Sequence, residues 1–331
     1  MGGDLGPRST IPATLMMAAK YPKSQFILVG DTDALNSLLV SPLPVNVQLH
    51  HADSVVAMDE KPAQALRQKP GSSMKRALEL VCQGRAGACV SAGNTGALMA
   101  LSRHILKTLP GIERPAICKP LPTGKGLCYM LDLGANLNCS ARQLYQFASL
   151  GHVLARASGV SNPKIGLLNV GLEEMKGGAV IHAAGAMIEA DAALNYQGYV
   201  EGDGLYRGDV DVIVCDGFVG NVALKVSEGL ARYVVAEAES LLRRDLWRKL
   251  CSFLLSPLLR SWRRQMDPAR YNGASLLGLN GTVVKSHGHA DARNFAYALE
   301  MTLELVQQDL PAQVELQMSR FVSEAQGHDI S

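Results

Sequence analysis

Val90-Ser91-Ala92-Gly93-Asn94-Thr95-Gly96-Ala97-Leu98 marks a change of hydrophobic period in mid-chain. Residues 86–90 form a short apolar run of strand character, whereas Leu98, Leu101, Ile105 and Leu106 recur at helical spacing. Polar, glycine-rich residues therefore sit where a strand turns into a helix. Two glycines let the backbone approach a ligand closely, and the free N–H groups of a helix start favour an anion. Taken alone, the same residues also describe a plain tight turn in which Asn94 or Thr95 caps the helix.

The alternation continues on both sides. Upstream, the spacing predicts a helix over 11–20, a buried strand over 26–31, a helix over 34–39 and a strand over 45–49. Asp59-Glu60-Lys61-Pro62 then opens one helix, and Ser72-Ser73 caps another that ends near Cys82. Downstream, strands are expected at 128–133, 165–170 and 210–215, an edge at Tyr199 and Val200, and helices at 141–157, 180–190 and from Val222 onward. Short apolar strands alternating with helices specify an α/β fold, a parallel sheet covered on both faces. In such sheets ligands lie beyond the carboxyl ends of the strands.

Polar residues collect at those ends. Besides Gly93 to Gly96 there are Asp132-Leu133-Gly134-Ala135-Asn136, Asn169-Val170-Gly171, Asp216-Gly217-Phe218-Val219-Gly220-Asn221 and Lys285-Ser286-His287-Gly288. Each alone is also a plain Asx-turn or cap. Five of one chemical type at one end of one sheet point to a site. There is no G-x-G-x-x-G after a strand and no G-x-x-x-x-G-K-[ST], so neither dinucleotide nor P-loop nucleotide binding is supported. A G-x-S-x-G elbow is absent, and no cysteine stands beside an obvious histidine, so no nucleophile for an acyl-enzyme is visible.

Bulk composition sets the remaining bounds. With 331 residues, 47% hydrophobic and 19% charged, the chain can bury a large core, and a net charge of +2 gives no general case for nucleic acid. The charge is uneven. From Arg243 to Arg264 seven basic residues face Asp245 alone, so this segment carries +6 and the remainder −4. Seven cysteines without a C-x-x-C pair or zinc spacing are expected to be reduced thiols of a cytoplasmic protein, and no metal site is signalled. The start, Met1-Gly2-Gly3-Asp4-Leu5-Gly6-Pro7, has no apolar run of a secretory signal, and nowhere do eighteen apolar residues run together.

Together the motifs resemble the bacterial fatty acyl-phosphate synthases, acyl-carrier-protein:phosphate acyltransferases of the PlsX type. They are Met1-Gly2-Gly3-Asp4 with Gly6-Pro7, Asp59 to Pro62 through Ser72-Ser73-Met74, Val90 to Leu98, Asp132 to Asn136, Asp216 to Asn221, and Tyr271-Asn272-Gly273-Ala274 through Leu277-Gly278-Leu279 to Gly288. They follow the family's order over nearly the whole chain. Members of that family begin with a short apolar strand before the Gly-Gly-Asp turn, where this chain starts at the turn. Two family acidic positions are here Asn138 and Leu172.

The resemblance implies a single three-layer α/β/α domain over 1–331, related to phosphotransacetylases and isocitrate-type dehydrogenases, a homodimer, and no organic cofactor. It implies attack of inorganic phosphate on the thioester of a long-chain acyl-carrier protein, giving acyl phosphate for phospholipid synthesis. Phosphate being itself the nucleophile, the protein has to hold a dianion and stabilise an oxyanion. On that footing Gly93, Asn94, Thr95, Gly96 and Ser286 are the expected phosphate binders, and Lys285 the countercharge. Asn136 and Asn221 are the expected oxyanion or phosphate donors, and His287 a proton donor or phosphate ligand. Asp132 and Asp216 are expected to orient Lys285 or His287, or to hold a turn. Alternatives are an inactive membrane-surface scaffold, suggested by Asn138, Leu172 and the missing first strand, and a short-chain phosphotransacetylase using acyl-coenzyme A.

Residues 222–270 are expected to form a protruding helical hairpin. Trp247, Leu250, Leu254, Leu258 and Trp262 lie there among arginines, the composition of a helix at a membrane interface, or of a dimer-packing helix with solvated arginines. The expected location is the cytoplasm, peripherally on the inner face of the membrane. The expected partners are acyl-carrier protein and a membrane glycerol-phosphate acyltransferase.

Overall fold

In the computed structural model, residues 1–243, 259 and 268–317 are described. The elements run α1 (Pro7–Lys20), β1 (Phe26–Gly30), α2 (Thr32–Ser37), β2 (Val47–His51), α3 (Pro62–Gln68), α4 (Ser73–Cys82), β3 (Ala88–Ser91) and α5 (Thr95–Ile105). Then follow β4 (Ala116–Thr123), β5 (Gly126–Leu131), α6 (Ala141–Ala157), β6 (Lys164–Leu168), α7 (Ala179–Glu189) and β7 (Asn195–Val200). The last are β8 (Val212–Val214), α8 (Gly217–Arg243), β9 (Ala274–Leu277), β10 (Thr282–Lys285) and α9 (Ala292–Gln307).

Eight strands form one sheet in the order β3-β10-β9-β4-β5-β8-β6-β7. Its layers follow from the period of two along each strand. Leu131, Val212, Val214, Leu277 and Val284 face α6, α7 and α9, whereas their neighbours Met130, Ile213, Leu276 and Val283 face α4 and α5. Consecutive apolar residues thus fill two cores, which makes the fold three-layered. The long helix of the first core starts at a reciprocal cap, Ser140 with Gln143, the pattern that satisfies two free N–H groups at a helix start.

The sheet is mainly parallel, as expected, with antiparallel pairs at its centre. β4 runs antiparallel to β5 and β9, and β9 antiparallel to β10. Pro120 and Pro122 hide β4 in the sequence. They are tolerated because β9 pairs only with Ala116, Ile117 and Cys118, so the prolines lie where β4 has β5 alone as neighbour.

β1 and β2 form a separate parallel pair. Between β1 and β3 runs a cavity of about 450 Å³, lined by Phe26, Leu28, Cys89 and Val90, with Met1 at its wall. Burial lowers the pKa of the Met1 α-amino group there. Among the described residues no helix is long and apolar enough to cross a membrane. The expected hairpin begins within α8, but Trp247, Leu250, Leu254, Leu258 and Trp262 lie outside the described residues.

Candidate active site

A cavity of about 150 Å³ opens at the ends of β3 and β10, under the first turns of α8. Lys285 and Ser91 are register partners in the parallel pair β10–β3, so the turns that follow these two strands leave the sheet side by side. One brings His287, the other Thr95 at the start of α5. Asn221 and Lys225 reach the same space from α8, and Lys119 from β4. The first N–H groups of an α-helix have no acceptor within it. An exposed threonine at such a start, facing lysines, is a seat for an oxyanion.

Lys285 is held by carbonyls. Its Nζ donates to the backbone oxygens of Ala92 and Ser286. Burial and the neighbouring Lys225 charge pull its pKa down to about 8, against the pull of Asp4. Asp4 is itself paired with His289. The Lys285 charge is thus turned towards the cavity without an ion-pair partner of its own among the described residues.

The other cations meet at Glu228, which is 6% exposed. Its Oε1 accepts from Lys119 Nζ at 3.2 Å and lies 3.3 Å from His287 Nε2, and its Oε2 accepts from Lys225 Nζ at 3.1 Å. Burial alone would raise the Glu228 pKa. The His287 hydrogen bond and the Lys119 and Lys225 interactions outweigh it and hold the carboxyl well below the usual carboxylate range. Lys119, 4% exposed, is pulled down by burial and held up by Glu228.

Sequence reasoning missed this cluster. Lys119 and Glu228 are 109 positions apart. The available signal was periodic: Asn221, Lys225 and Glu228 stand at i, i+4 and i+7, one face of α8.

Several expected residues serve the walls rather than the cavity. Asn94 is the cap of α5: its Oδ1 accepts from Ala97 N at 3.0 Å, and its Nδ2 donates to the carbonyls of Met58 and Glu60 at 2.8 and 2.9 Å. That amide is spent on tying the α5 turn to the loop before α3, and only its backbone remains for an anion. A Cβ on Gly96 would meet Pro62 Cγ at 2.9 Å, so packing against the proline ring requires this glycine, whereas one on Gly93 would meet only the flexible end of Met74, its Cε, at 2.7 Å. Ser286 is fully buried, its Oγ accepting from Asn272 Nδ2 at 2.8 Å. Asn272 Oδ1 also accepts the His287 N–H at 3.0 Å, so this unexpected residue shapes the turn that presents His287.

The two aspartates hold turns. Buried Asp132 accepts from the N–H groups of Ile117, Ala135 and Asn136 and from Asn136 Nδ2, at 2.6 to 3.1 Å. Burial raises its pKa against these four donors. Asn136 Nδ2 donates also to Pro115 O at 2.8 Å, so this amide points into the fold and is no donor to the cavity. Asp216 accepts from Val219 N at 2.8 Å, capping α8. Neither aspartate orients Lys285 or His287. The Asp132 turn acts from behind: a Cβ on Gly220 would stand 2.0 Å from Asp132 O, so α8 and Asn221 rest directly on that turn.

Asn169 closes its own loop, donating to Gly171 O and Lys176 O. Asn138 and Leu172 are exposed and stand apart from the cavity lining. The expected residues that meet in the cavity are therefore Thr95, Asn221, Lys285 and His287, with buried Ser286 in its wall, joined by Lys119 and Lys225. Among the described residues no His, Cys, Asp and Glu cluster could hold a metal ion.

The profile of a family described as "Fatty acid synthesis protein" matches residues 1–313. A protein named phosphate acyltransferase from Ectopseudomonas mendocina (strain ymp) is 52% identical over 314 residues, covering 94% of each chain. One of the same name from Pseudomonas paraeruginosa is 54% identical over 314 residues, again 94% of each. Among solved structures, a phosphotransacetylase from Streptococcus pyogenes superposes with a TM-score of 0.62 at 16% identity, over 91% of this chain and 93% of that one. The last likeness bears on the fold alone, and it agrees with the three-layer architecture.

Proposed function

The chain belongs to the fatty acid synthesis protein family and is a phosphate acyltransferase, and on that premise we propose that it moves a long-chain acyl group from an acyl-carrier protein to inorganic phosphate. The observation that supports this most is the cavity itself. Three lysines line it, two of them paired with one buried carboxylate, beside a helix start, a threonine and an amide. That set suits a dianionic nucleophile.

Phosphate sits against Lys285, Lys225 and the Thr95 turn. One of its oxygens attacks the thioester carbonyl carbon, Asn221 or His287 donates to the oxyanion as it forms, and the C–S bond breaks with the sulfur leaving as thiolate. Acyl phosphate and free carrier result. No enzyme thiol is called for: among the described cysteines none lines the cavity, and burial pushes Cys89 and Cys128 up to about 12 and Cys118 and Cys215 well up, away from the thiolate that would react.

The inactive-scaffold alternative loses two of its motives, since Asn138 and Leu172 lie outside the cavity. The short-chain alternative differs in donor. Acyl phosphate formation assayed with acyl-carrier protein and with acyl-coenzyme A tests it: preference for the carrier is expected, and equal or better use of coenzyme A thioesters would overturn the carrier assignment.

Homodimer formation and contact with the inner face of the membrane belong to the same proposal. Exposed Val222, Val226, Leu230 and Tyr233 form an apolar stripe on α8, the helix that leads to the basic segment, and such a stripe suits a second copy or lipid. Each basic residue near an anionic surface is worth about 1 kcal/mol. Leu254→Glu is expected to release the protein from anionic liposomes while it stays dimeric on size exclusion. A monomer, or a dimer that still floats, overturns the membrane reading. A membrane glycerol-phosphate acyltransferase is the expected consumer of the product.

A further inference from the structure

Phosphorolysis of a thioester asks for cations and hydrogen-bond donors, and a carboxylate beside a bound dianion repels it. Glu228 is nevertheless buried behind the cavity lining, in contact with three of the groups that form it. Two of these come from elsewhere in the chain, Lys119 from β4 and His287 from the turn after β10, and the third, Lys225, stands one turn earlier on α8. Among the described residues, the side chains of these three make no hydrogen bond other than the one to Glu228. Without Glu228, the ammonium of Lys119 would be a buried charge with no counterion, and Lys225 and His287 would lose their common anchor. The charges also sum usefully. Lys119, Lys225 and Lys285 against Glu228 leave two positive charges, His287 aside, and Asp4 is already engaged with His289.

Resting on the phosphate reading, we propose that Glu228 is a positioning residue of the transfer reaction, fixing Lys119, Lys225 and His287 around the cavity and trimming its charge so that a doubly charged oxyanion neutralises it. A singly charged anion leaves the cavity cationic. The carboxylate thus gives up some ground-state attraction for placement of the groups that act as the oxyanion develops.

The test uses the whole protein, steady-state acyl phosphate formation, and two inhibitors, sulfate as a dianion and nitrate as a monoanion. Glu228→Gln keeps the size of the side chain and removes its charge. The expected result is a split: kcat falls about tenfold or more, KM for phosphate falls severalfold, and the preference for sulfate over nitrate changes. Glu228→Asp is expected to restore most of kcat. A Gln variant with unchanged phosphate KM and unchanged sulfate-to-nitrate preference overturns the proposal, because a merely structural residue would lower stability without moving that ratio. Should Glu228→Gln fail to fold, Lys225→Met, whose side chain is more than half exposed, carries the same test. It lowers the fixed charge by one and is expected to weaken sulfate more than nitrate, and equal weakening overturns the proposal. Sulfate that fails to compete with phosphate in the unmutated protein refutes the phosphate seat itself, and the inference with it.

Discussion

Raising the pH from 7 to 9 is the gentlest perturbation of the anion seat, because it discharges Lys285 without altering a single atom of the wall. With a midpoint at about 8, the charged share of Lys285 falls from about nine-tenths at pH 7 to about one-tenth at pH 9. If phosphate requires the charged form, its KM per dianion rises about tenfold across that interval. Phosphate itself gains dianion over the same interval, its second ionisation lying near pH 7, so KM is counted per dianion to keep the nucleophile from masking the effect. Lys285→Arg stays charged at both pH values and should show a nearly flat KM. The assay is steady-state acyl phosphate formation at saturating acyl donor, with phosphate varied at each pH. A flat profile in the unmutated protein, or an equal rise in the Arg variant, would remove Lys285 from the site. The same shift acts on folding with a definite sign. The unfolded lysine, near 10.5, binds its proton more tightly than the folded one, so the charge opposes folding below about pH 8, and this penalty is relieved as pH rises from about 8 to 10.5.

Other outcomes follow from the walls. Asn94→Ala should cost about 1 kcal/mol of stability through the lost cap, seen in denaturant titration, with less than about a twofold change in phosphate KM. A large KM effect there would return the Asn94 side chain to the anion seat. Gly220→Ala places a Cβ 2.0 Å from Asp132 O and should abolish both soluble yield and activity; a folded, active variant would show that α8 does not rest on that turn. Asp132→Asn turns one buried acceptor into a donor facing N–H groups and should cost about 1 to 3 kcal/mol, with little change in phosphate KM, and an unchanged stability would contradict its role as the turn's hub.

Much of the fold was legible because buried strands announce themselves as short apolar runs with polar turns at their ends. The 141–157 helix was visible in the alternation alone, and its Ser140 cap came only with the structure. β4 was hidden, since Pro120 and Pro122 argue against a strand unless one knows that β9 stops at its partner for Cys118. The site was legible in outline at Thr95, Asn221, Lys285 and His287, whose types and positions both point to an anion. It was misread at Asn94 and Asn136, because an amide at a strand end looks the same whether it faces a ligand or the neighbouring loop. Which of the two holds is decided by carbonyls of Met58, Glu60 and Pro115, far away in sequence. Lys119 and Glu228 were missed for a related reason: a lone charge in a strand and one on a helix look solvent-facing until the fold buries them together.

The most direct measurement is a crystal structure of the protein grown with inorganic phosphate and no other polyvalent anion. The expected result is one phosphate in the cavity, within hydrogen-bond distance of Lys285 Nζ and Lys225 Nζ and touching the Thr95 turn, with Glu228 still holding Lys119 and His287 behind it. Phosphate bound elsewhere while this cavity stays empty, at concentrations above its KM, would contradict the account.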